Sequence, residues 1–204
     1  MNTHKGTSFR SVVLAATLLL AASFAGASDI KGKVAAPGMR SPANIVVYVD
    51  AIPGKTFPPP AQHAVMDQVH LAFSPHVLVV LKGTTVDFLN EDSVGHNVYW
   101  PAISHDKKLA HNMGTWPQGI KKSLTFDNLG DVPLLCNVHP DMSGYIIVTP
   151  TPYHALTGPD GSFEIKDVPA GQYTLKTWSE EAKPTTQAVT VGAGTSNVSL
   201  SVKK

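Results

Sequence analysis

The only cysteine of the chain lies in the stretch Leu135-Cys136-Asn137-Val138-His139-Pro140-Asp141-Met142. This stretch offers a thiolate, an imidazole and a thioether with the spacing Cys-x-x-His-x-x-Met. It is flanked by two apolar, β-prone runs, Val132-Pro133-Leu134-Leu135 and Tyr145-Ile146-Ile147-Val148. A short loop between two strands holds its donors in fixed relative positions, and thiolates and thioethers are soft ligands that suit copper. The stretch therefore predicts a metal-binding loop within a β-structure.

A blue-copper site needs two histidines, one cysteine and a weak axial methionine. Its second histidine would have to come from elsewhere in the chain, and His96 is the best candidate, in the stretch Asp92-Ser93-Val94-Gly95-His96-Asn97-Val98. The alternative is that Cys136 is a small buried apolar residue and that Met142 fills a gap in the core. The export signal described next favours the metal site.

The N-terminus has the features of a cleavable signal peptide. Lys5 and Arg10 form a positive region, an apolar run covers 12–24, and small residues follow at Ala25-Gly26-Ala27. Cleavage after Ala27 and a periplasmic location are predicted. A single cysteine cannot form an internal disulfide, and a free thiol in an oxidising compartment is a liability unless it is buried or coordinated.

Charge and motifs exclude several classes of function. The chain of 204 residues has 16 Lys and Arg against 15 Asp and Glu, so nothing indicates a nucleic acid or an anionic membrane as a partner. No second apolar run is long enough to span a bilayer. No nucleophile motif, phosphate loop or zinc signature is found, and we predict that the protein is not an enzyme.

Short apolar runs separated by Gly, Pro, Asn and Asp predict an all-β protein. The prolines of 53–60 mark a linker or crossover, and 101–118 is polar and irregular, which predicts a long loop. The tail has alternating strands without clustered chemical groups, as in a second, structural sandwich. The predicted division is a signal peptide (1–27), N-terminal strands (28–52), a copper domain (53–150) and a tail sandwich (151–204).

The region from Pro75 to Val148 resembles the cupredoxins, the small blue-copper electron carriers of the amicyanin and plastocyanin type. The resemblance rests on the runs Gly83-Thr84-Thr85-Val86-Asp87-Phe88-Leu89-Asn90, Asp92 with His96-Asn97-Val98, Lys122-Ser123-Leu124-Thr125-Phe126, Gly130, and Cys136 to Met142 with Gly144. The whole chain also resembles methylamine-utilisation-type cupredoxin proteins. The fold implied is a Greek-key β-sandwich.

The same resemblance implies the ligand set of one type 1 copper. His96 and His139 would bind through ring nitrogens, Cys136 as a thiolate and Met142 as the weak axial thioether. Asn97 would tie the two ligand loops together. His139 would lie near the surface and serve as the electron port to a redox protein partner.

The segment from Thr157 to Leu175 resembles the carboxypeptidase regulatory-like β-sandwich, a small immunoglobulin- or transthyretin-like fold. In that family the motif follows two further strands. Here the nearest matches to those strands lie far upstream, at Gly32-Lys33-Val34 and Val46-Val47-Tyr48-Val49. We therefore expect the N-terminal strands to complete the tail sandwich, with the copper domain inserted between them.

The remaining histidines match no known ligand spacing. His63, His70 and His76 leave a second metal site open, although a packing role for His76 is the simpler interpretation. His105, His111 and Met113 are expected on the surface of the long loop.

Three hypotheses of function follow. The leading one is an exported type 1 copper protein that carries single electrons between redox partners. The second is a copper carrier or resistance protein that uses the same residues. The third is a structural β-sandwich module with a vestigial site.

Overall fold

A computed structural model of the chain describes residue 1 and residues 26–204. These residues contain one short 3₁₀ helix, Lys107–Leu109, and sixteen strands. The strands are β1 (Ala27–Ala35), β2 (Val46–Val49), β3 (Ala64–Val69), β4 (Ala72–Ser74), β5 (Val77–Leu81), β6 (Thr84–Phe88), β7 (His96–Trp100), β8 (His111–Trp116), β9 (Lys122–Phe126), β10 (Gly130–Leu135), β11 (Ser143–Thr149), β12 (His154–Leu156), β13 (Ser162–Pro169), β14 (Gly171–Trp178), β15 (Thr186–Val191) and β16 (Ser196–Ser201). The predicted all-β fold is confirmed.

The predicted signal peptide falls mostly on residues 2–25, which lie outside the described residues. Its predicted cleavage point, after Ala27, falls within the first described strand, because β1 begins at Ala27. Across residues 26–204 we find no helix with the length and apolar character needed to cross a membrane.

The strands of 64–149 form two sheets that share one core. One sheet has the order β5-β11-β10-β7-β8 and the other the order β4-β3-β6-β9. The chain crosses repeatedly between the sheets, so that β5 runs parallel to β11, and β3 runs parallel to β6. Apolar side chains from both sheets meet in the core, among them Met66, Val86, Phe88, Phe126, Val98, Leu134 and Ile146. This arrangement is a Greek-key sandwich.

The strands on either side of that segment pair with one another. β1 lies between β13, which is antiparallel to it, and β16, which is parallel. β2 lies between β12 and β14. The resulting sheets, β13-β1-β16 and β12-β2-β14-β15, enclose a second core that includes Ile30, Val47, Phe163, Ile165 and Leu175. The chain therefore leaves this second sandwich after β2, forms the first sandwich over residues 64–149, and returns to the second at β12.

The prediction of one long loop over 101–118 is wrong in its second half. Residues His111–Trp116 form β8, which pairs antiparallel with β7. The six residues HNMGTW lack the apolar alternation by which a strand is recognised. The register also shifts between Asn97 and Tyr99 of β7, opposite Gly114, which has a φ of +78°. Backbone pairing with β7 therefore makes β8 a strand without any pattern of its own.

Two strands of the larger sheet are buried on both faces, which explains why their sequences are almost continuously apolar. In β11, Ile146 and Val148 face the first core, whereas Ile147 faces a separate cluster with Val46 and Val77. That cluster joins the two sandwiches. Around it, Tyr145 and Trp178 pack with their ring centroids 4.9 Å apart.

Glu180 closes this junction from the tail side. Its carboxylate accepts a hydrogen bond from the Tyr145 hydroxyl at 3.2 Å and pairs with His76 Nε2 at 2.9 Å. Burial and the neighbouring Glu180 carboxylate raise the pKa of Tyr145 to about 12, so the hydroxyl keeps its proton and remains a donor. The packing role preferred for His76 from the sequence is thus an interdomain contact.

We expect Ile147→Ala to lower the free energy of unfolding by about 2–5 kcal/mol, because it leaves a cavity in the junction. Ile147 is 3% exposed, whereas Ile120 is 48% exposed, so Ile120→Ala is the matched control and should change stability by less than about 0.5 kcal/mol. Urea denaturation measures both variants. Equal effects would show that the junction does not contribute to stability.

A second polar cluster joins β6 to β9 at the carboxylate of Asp87. Ser123 Oγ donates to Asp87 Oδ1 at 2.6 Å, and Lys121 Nζ donates to Oδ2 at 2.9 Å. His63 Nδ1 lies 2.9 Å from Oδ1. These three hydrogen bonds, that of Ser123 foremost, hold the pKa of the Asp87 carboxyl well below its usual range.

This depressed pKa predicts acid sensitivity. A carboxyl with a lower pKa in the folded state stabilises the fold above its unfolded pKa of about 4, and the contribution is lost as the pH falls toward the folded pKa. Asp87→Asn should therefore lose less stability between pH 4 and pH 2 than the unmodified protein, as followed by thermal unfolding. Asp127→Asn, in an exposed turn, serves as the control and should behave like the unmodified protein.

Candidate metal centre

The predicted metal loop connects two paired strands at one end of the larger sheet. β10 ends at Leu135 and β11 begins at Ser143, and these two residues are partners in the register. Leu135 also pairs with Tyr99 of β7. The loop from Cys136 to Met142 therefore projects from a position where three strands are held together.

Three of the four predicted ligands come together at this end. The donor atoms of His96, Cys136 and His139 all lie within 4.8 Å of one another. The two imidazoles face each other through their Nδ1 atoms, which are 3.0 Å apart. His96 is fully buried and Cys136 is 3% exposed, whereas His139 is partly exposed.

The protonation of His96 follows from its other ring nitrogen. Nε2 lies 2.8 Å from Asp92 Oδ2, and an ionised carboxylate can only accept, so the proton resides on Nε2. Nδ1 of His96 then has a free lone pair directed at His139. This is the tautomer that a metal-binding histidine requires.

These residues fit a copper ion. Ring nitrogens bind metals of this kind at about 2.0 Å, so two nitrogens 3.0 Å apart can both reach one ion. Without a metal, the contact between the two Nδ1 atoms needs a proton from His139, which an incoming cation would displace. The buried thiol of Cys136 completes a set of two imidazoles and one soft sulfur, the set that suits copper.

Met142 lies in the same buried core cluster as Cys136 and is 1% exposed. Its backbone N–H donates to the His139 carbonyl at 3.0 Å, which closes a tight turn in the loop. Met142 is thereby buried on the inner side of the loop, in the same core cluster as Cys136.

Asp92, which is not among the predicted ligands, supports His96. Besides His96, its carboxylate accepts hydrogen bonds from the backbone N–H groups of His70 at 2.7 Å and Leu71 at 2.9 Å. Burial raises the pKa of this carboxyl, but the hydrogen bonds outweigh that effect and leave the pKa below its usual range. The signal in the sequence was an aspartate four residues before His96, which is too common a spacing to identify the pair.

Asn97 joins the two ligand segments, as expected from the resemblance. Its backbone N–H donates to Cys136 Sγ at 3.4 Å, and its side-chain Oδ1 accepts from the N–H of Asn137 at 3.3 Å. The start of β7 is thereby attached to the start of the metal loop.

The other histidines do not form a second site among the described residues, where the one group of three or more neighbouring metal donors is His96, Cys136 and His139. His63 pairs with Asp87, and His76 pairs with Glu180. His70 donates its backbone N–H to Asp92, the partner of His96. His111 stacks on Trp100, with ring centroids 5.2 Å apart.

Comparison with protein families supports this description. Residues 61–149 match the family described as copper binding proteins, plastocyanin/azurin family. Residues 149–198 match the family described as polysaccharide lyase family 4, domain II, rather than the carboxypeptidase regulatory-like domain predicted for the tail. Residues 61–149 are thus similar to the plastocyanin/azurin family, and the predicted fold class, a cupredoxin sandwich with a second sandwich, is confirmed.

Solved structures that resemble the chain align with about half of it. An oxidised mutant of amicyanin is 28% identical over 42% of this chain and 81% of its own, with a TM-score of 0.39. A copper-containing nitrite reductase from Thermus scotoductus is 27% identical over 49% of this chain and 25% of its own, with a TM-score of 0.39. A purple cupredoxin from Nitrosopumilus maritimus is 24% identical over 42% of this chain and 99% of its own, with a TM-score of 0.38. No curated protein matched.

We expect Asp92→Ala to weaken copper binding about 10- to 100-fold, because His96 loses the partner that sets its tautomer and orientation. Asp141→Ala is the matched control, since it removes an exposed carboxylate from the metal loop itself. Competition with a chelator measures both affinities. An equal loss in the two variants would attribute the effect to charge rather than to the hydrogen bond.

Proposed function

We propose that this protein is an exported type 1 copper protein that carries single electrons between redox partners. One copper ion would be bound by His96 Nδ1, His139 Nδ1 and the thiolate of Cys136, with Met142 as the weak axial ligand. Copper supplies the exchangeable electron, and the chain supplies the geometry and the surroundings.

The observation that carries the proposal is the facing pair of Nδ1 atoms, 3.0 Å apart and beside a buried cysteine. A histidine pair in a protein core normally satisfies its polar atoms with backbone groups or with water. Here His96 is fully buried, its Nε2 is already bound to Asp92, and its remaining nitrogen faces a second imidazole. A cation bound between the two rings would account for this arrangement, because both nitrogens could then coordinate it.

Electron transfer is fast when the ligands move little between oxidation states, and the supporting hydrogen bonds serve that requirement. Asp92 fixes the ring of His96, and Asn97 fixes the first residues of the metal loop. The ligands therefore remain in place by protein contacts alone. Burial and the hydrogen bond on the sulfur set the potential of such a site.

His139 is the proposed electron port. It is the most exposed of the three grouped residues, and its neighbour Val138 is 48% exposed. An apolar surface next to a ligand that reaches solvent allows a redox protein to approach without desolvating charge. The ligand set leaves no position for a substrate, so we propose a carrier rather than an enzyme.

We also propose the domain organisation predicted from the sequence. Residues 28–52 and 151–204 would form one sandwich, with the copper domain of 53–150 inserted between them. The pairing of β1 with β13 and β16, and of β2 with β12 and β14, supports this division. A carboxypeptidase regulatory-like sandwich in the tail, a signal peptide at 1–27 and a periplasmic location belong to the same proposal.

The visible spectrum of the protein loaded with Cu(II) tests the function. A thiolate bound to copper gives an intense charge-transfer band near ~600 nm, with or without a companion near ~450 nm. Cys136→Ser should abolish the band, whereas Ser143→Ala, at the far end of the loop, should retain it. Cyclic voltammetry should then show a reversible one-electron couple.

Two other results would contradict the proposal. Copper bound without colour or a reversible couple would indicate a copper carrier or resistance protein. A folded protein that binds no copper would indicate a structural module.

A further inference from the structure

A chain of amide groups connects β8 to the metal loop. Asn112 Oδ1 accepts two hydrogen bonds, one from the Gly114 N–H at 2.8 Å and one from Asn97 Nδ2 at 2.9 Å. Asn97 Oδ1 in turn accepts from the Asn137 N–H at 3.3 Å. These four residues, Gly114, Asn112, Asn97 and Asn137, are called the amide relay below.

The two ends of the relay determine the direction of every hydrogen bond in it. A backbone N–H can only donate, so the atom that Asn112 presents to Gly114 must be its carbonyl oxygen. The same oxygen then requires Asn97 to present its NH₂ group. The carbonyl oxygen of Asn97 is left facing the backbone N–H of Asn137, which again can only donate. A side-chain amide can present either end, and Asn112 selects the orientation of Asn97 that the metal loop needs.

We propose that Asn112 is a positioning residue for the metal ligand Cys136 and acts through Asn97. Asn112 is exposed and lies on a strand that contributes no ligand, whereas Asn97 is 3% exposed and donates its backbone N–H to Cys136 Sγ at 3.4 Å. With its side chain held from both sides, Asn97 keeps its backbone N–H directed at the sulfur. The redox part of this inference rests on the proposed function, and the positional part does not.

Gly114 belongs to the relay for a conformational reason. Its φ of +78° turns its N–H back toward Asn112 at the point where the register of β7 and β8 shifts. The register shift at Gly114 therefore fixes the orientation of the Asn112 amide.

Two variants of Asn112 distinguish the effect of its hydrogen-bond acceptor from the effect of its side-chain size. Asn112→Leu keeps the size and removes the acceptor, and Asn112→Asp keeps an acceptor for both donors. Asn128→Leu, in an exposed turn between β9 and β10, is the matched control. Because Asn112 and Asn128 are both exposed, all three variants should fold.

Amide hydrogen exchange, measured by NMR on the copper-free and the Cu(I)-loaded protein, tests the positional part. We expect the Asn137 amide to exchange about fivefold faster in Asn112→Leu, the change produced by loss of one hydrogen bond. Asn112→Asp and Asn128→Leu should exchange as the unmodified protein does. Unchanged exchange in Asn112→Leu, or equal acceleration in Asn112→Asp, overturns the proposal.

The midpoint potential tests the redox part. A hydrogen bond on the thiolate withdraws electron density and favours the reduced metal, so Asn112→Leu should lower the potential relative to Asn128→Leu. An unchanged potential with faster exchange overturns the redox part. A protein that binds no copper but shows the expected exchange pattern contradicts the proposed function and supports the positioning of Cys136 by Asn112.

Discussion

The structure depends on a contact between two strand ends that are distant in sequence. The backbone N–H of Asn97 at the start of β7 donates to the sulfur of Cys136, the residue that follows β10. Around this contact lie a buried imidazole, a buried thiol and a partly exposed imidazole. Burial of polar groups is tolerated only when each has a partner, so the surrounding loops are arranged to provide one. Asp92 does this for His96, and Asn97 does it for the metal loop.

The second constraint is that the cupredoxin sandwich has two apolar surfaces on its larger sheet. β5 and β11 contribute alternate side chains to the inner core and to the junction with the tail. A free-standing sandwich would expose the outer set to water, where a contiguous apolar patch is unusual. The tail covers it, and Glu180 satisfies the polar atoms of Tyr145 and His76 at its border. The tail thus protects the face of the sheet and leaves the metal loop uncovered at the edge.

The sequence predicted the sandwich architecture well, and three of the four ligand candidates that it offered lie together in the fold, because both inferences depend on local information. Soft donors in a short loop limit the chemistry to a few metals, and apolar alternation gives the strands. The sequence could not predict β8, because that strand is formed by backbone pairing with β7 and has no apolar alternation of its own. Asp92 and Asn112 were missed for a related reason: their partners, the His70 and Leu71 amides and the Asn97 side chain, are set by tertiary geometry. The partners of β1 and β2 were inferred from a family resemblance, and nothing in their own residues specifies them.

The pairing of β1 has a consequence for the order in which the molecule can assemble. β1, the first of the described strands to be synthesised, lies between β13 and the parallel strand β16, so its sheet is complete only once Ser201 is available. The sheets of 64–149 draw all their strands from that segment and can form earlier. Long-range parallel pairing closes slowly because a large loop must be ordered first. Residues 64–149 can therefore fold before β1 has paired with β13 and β16.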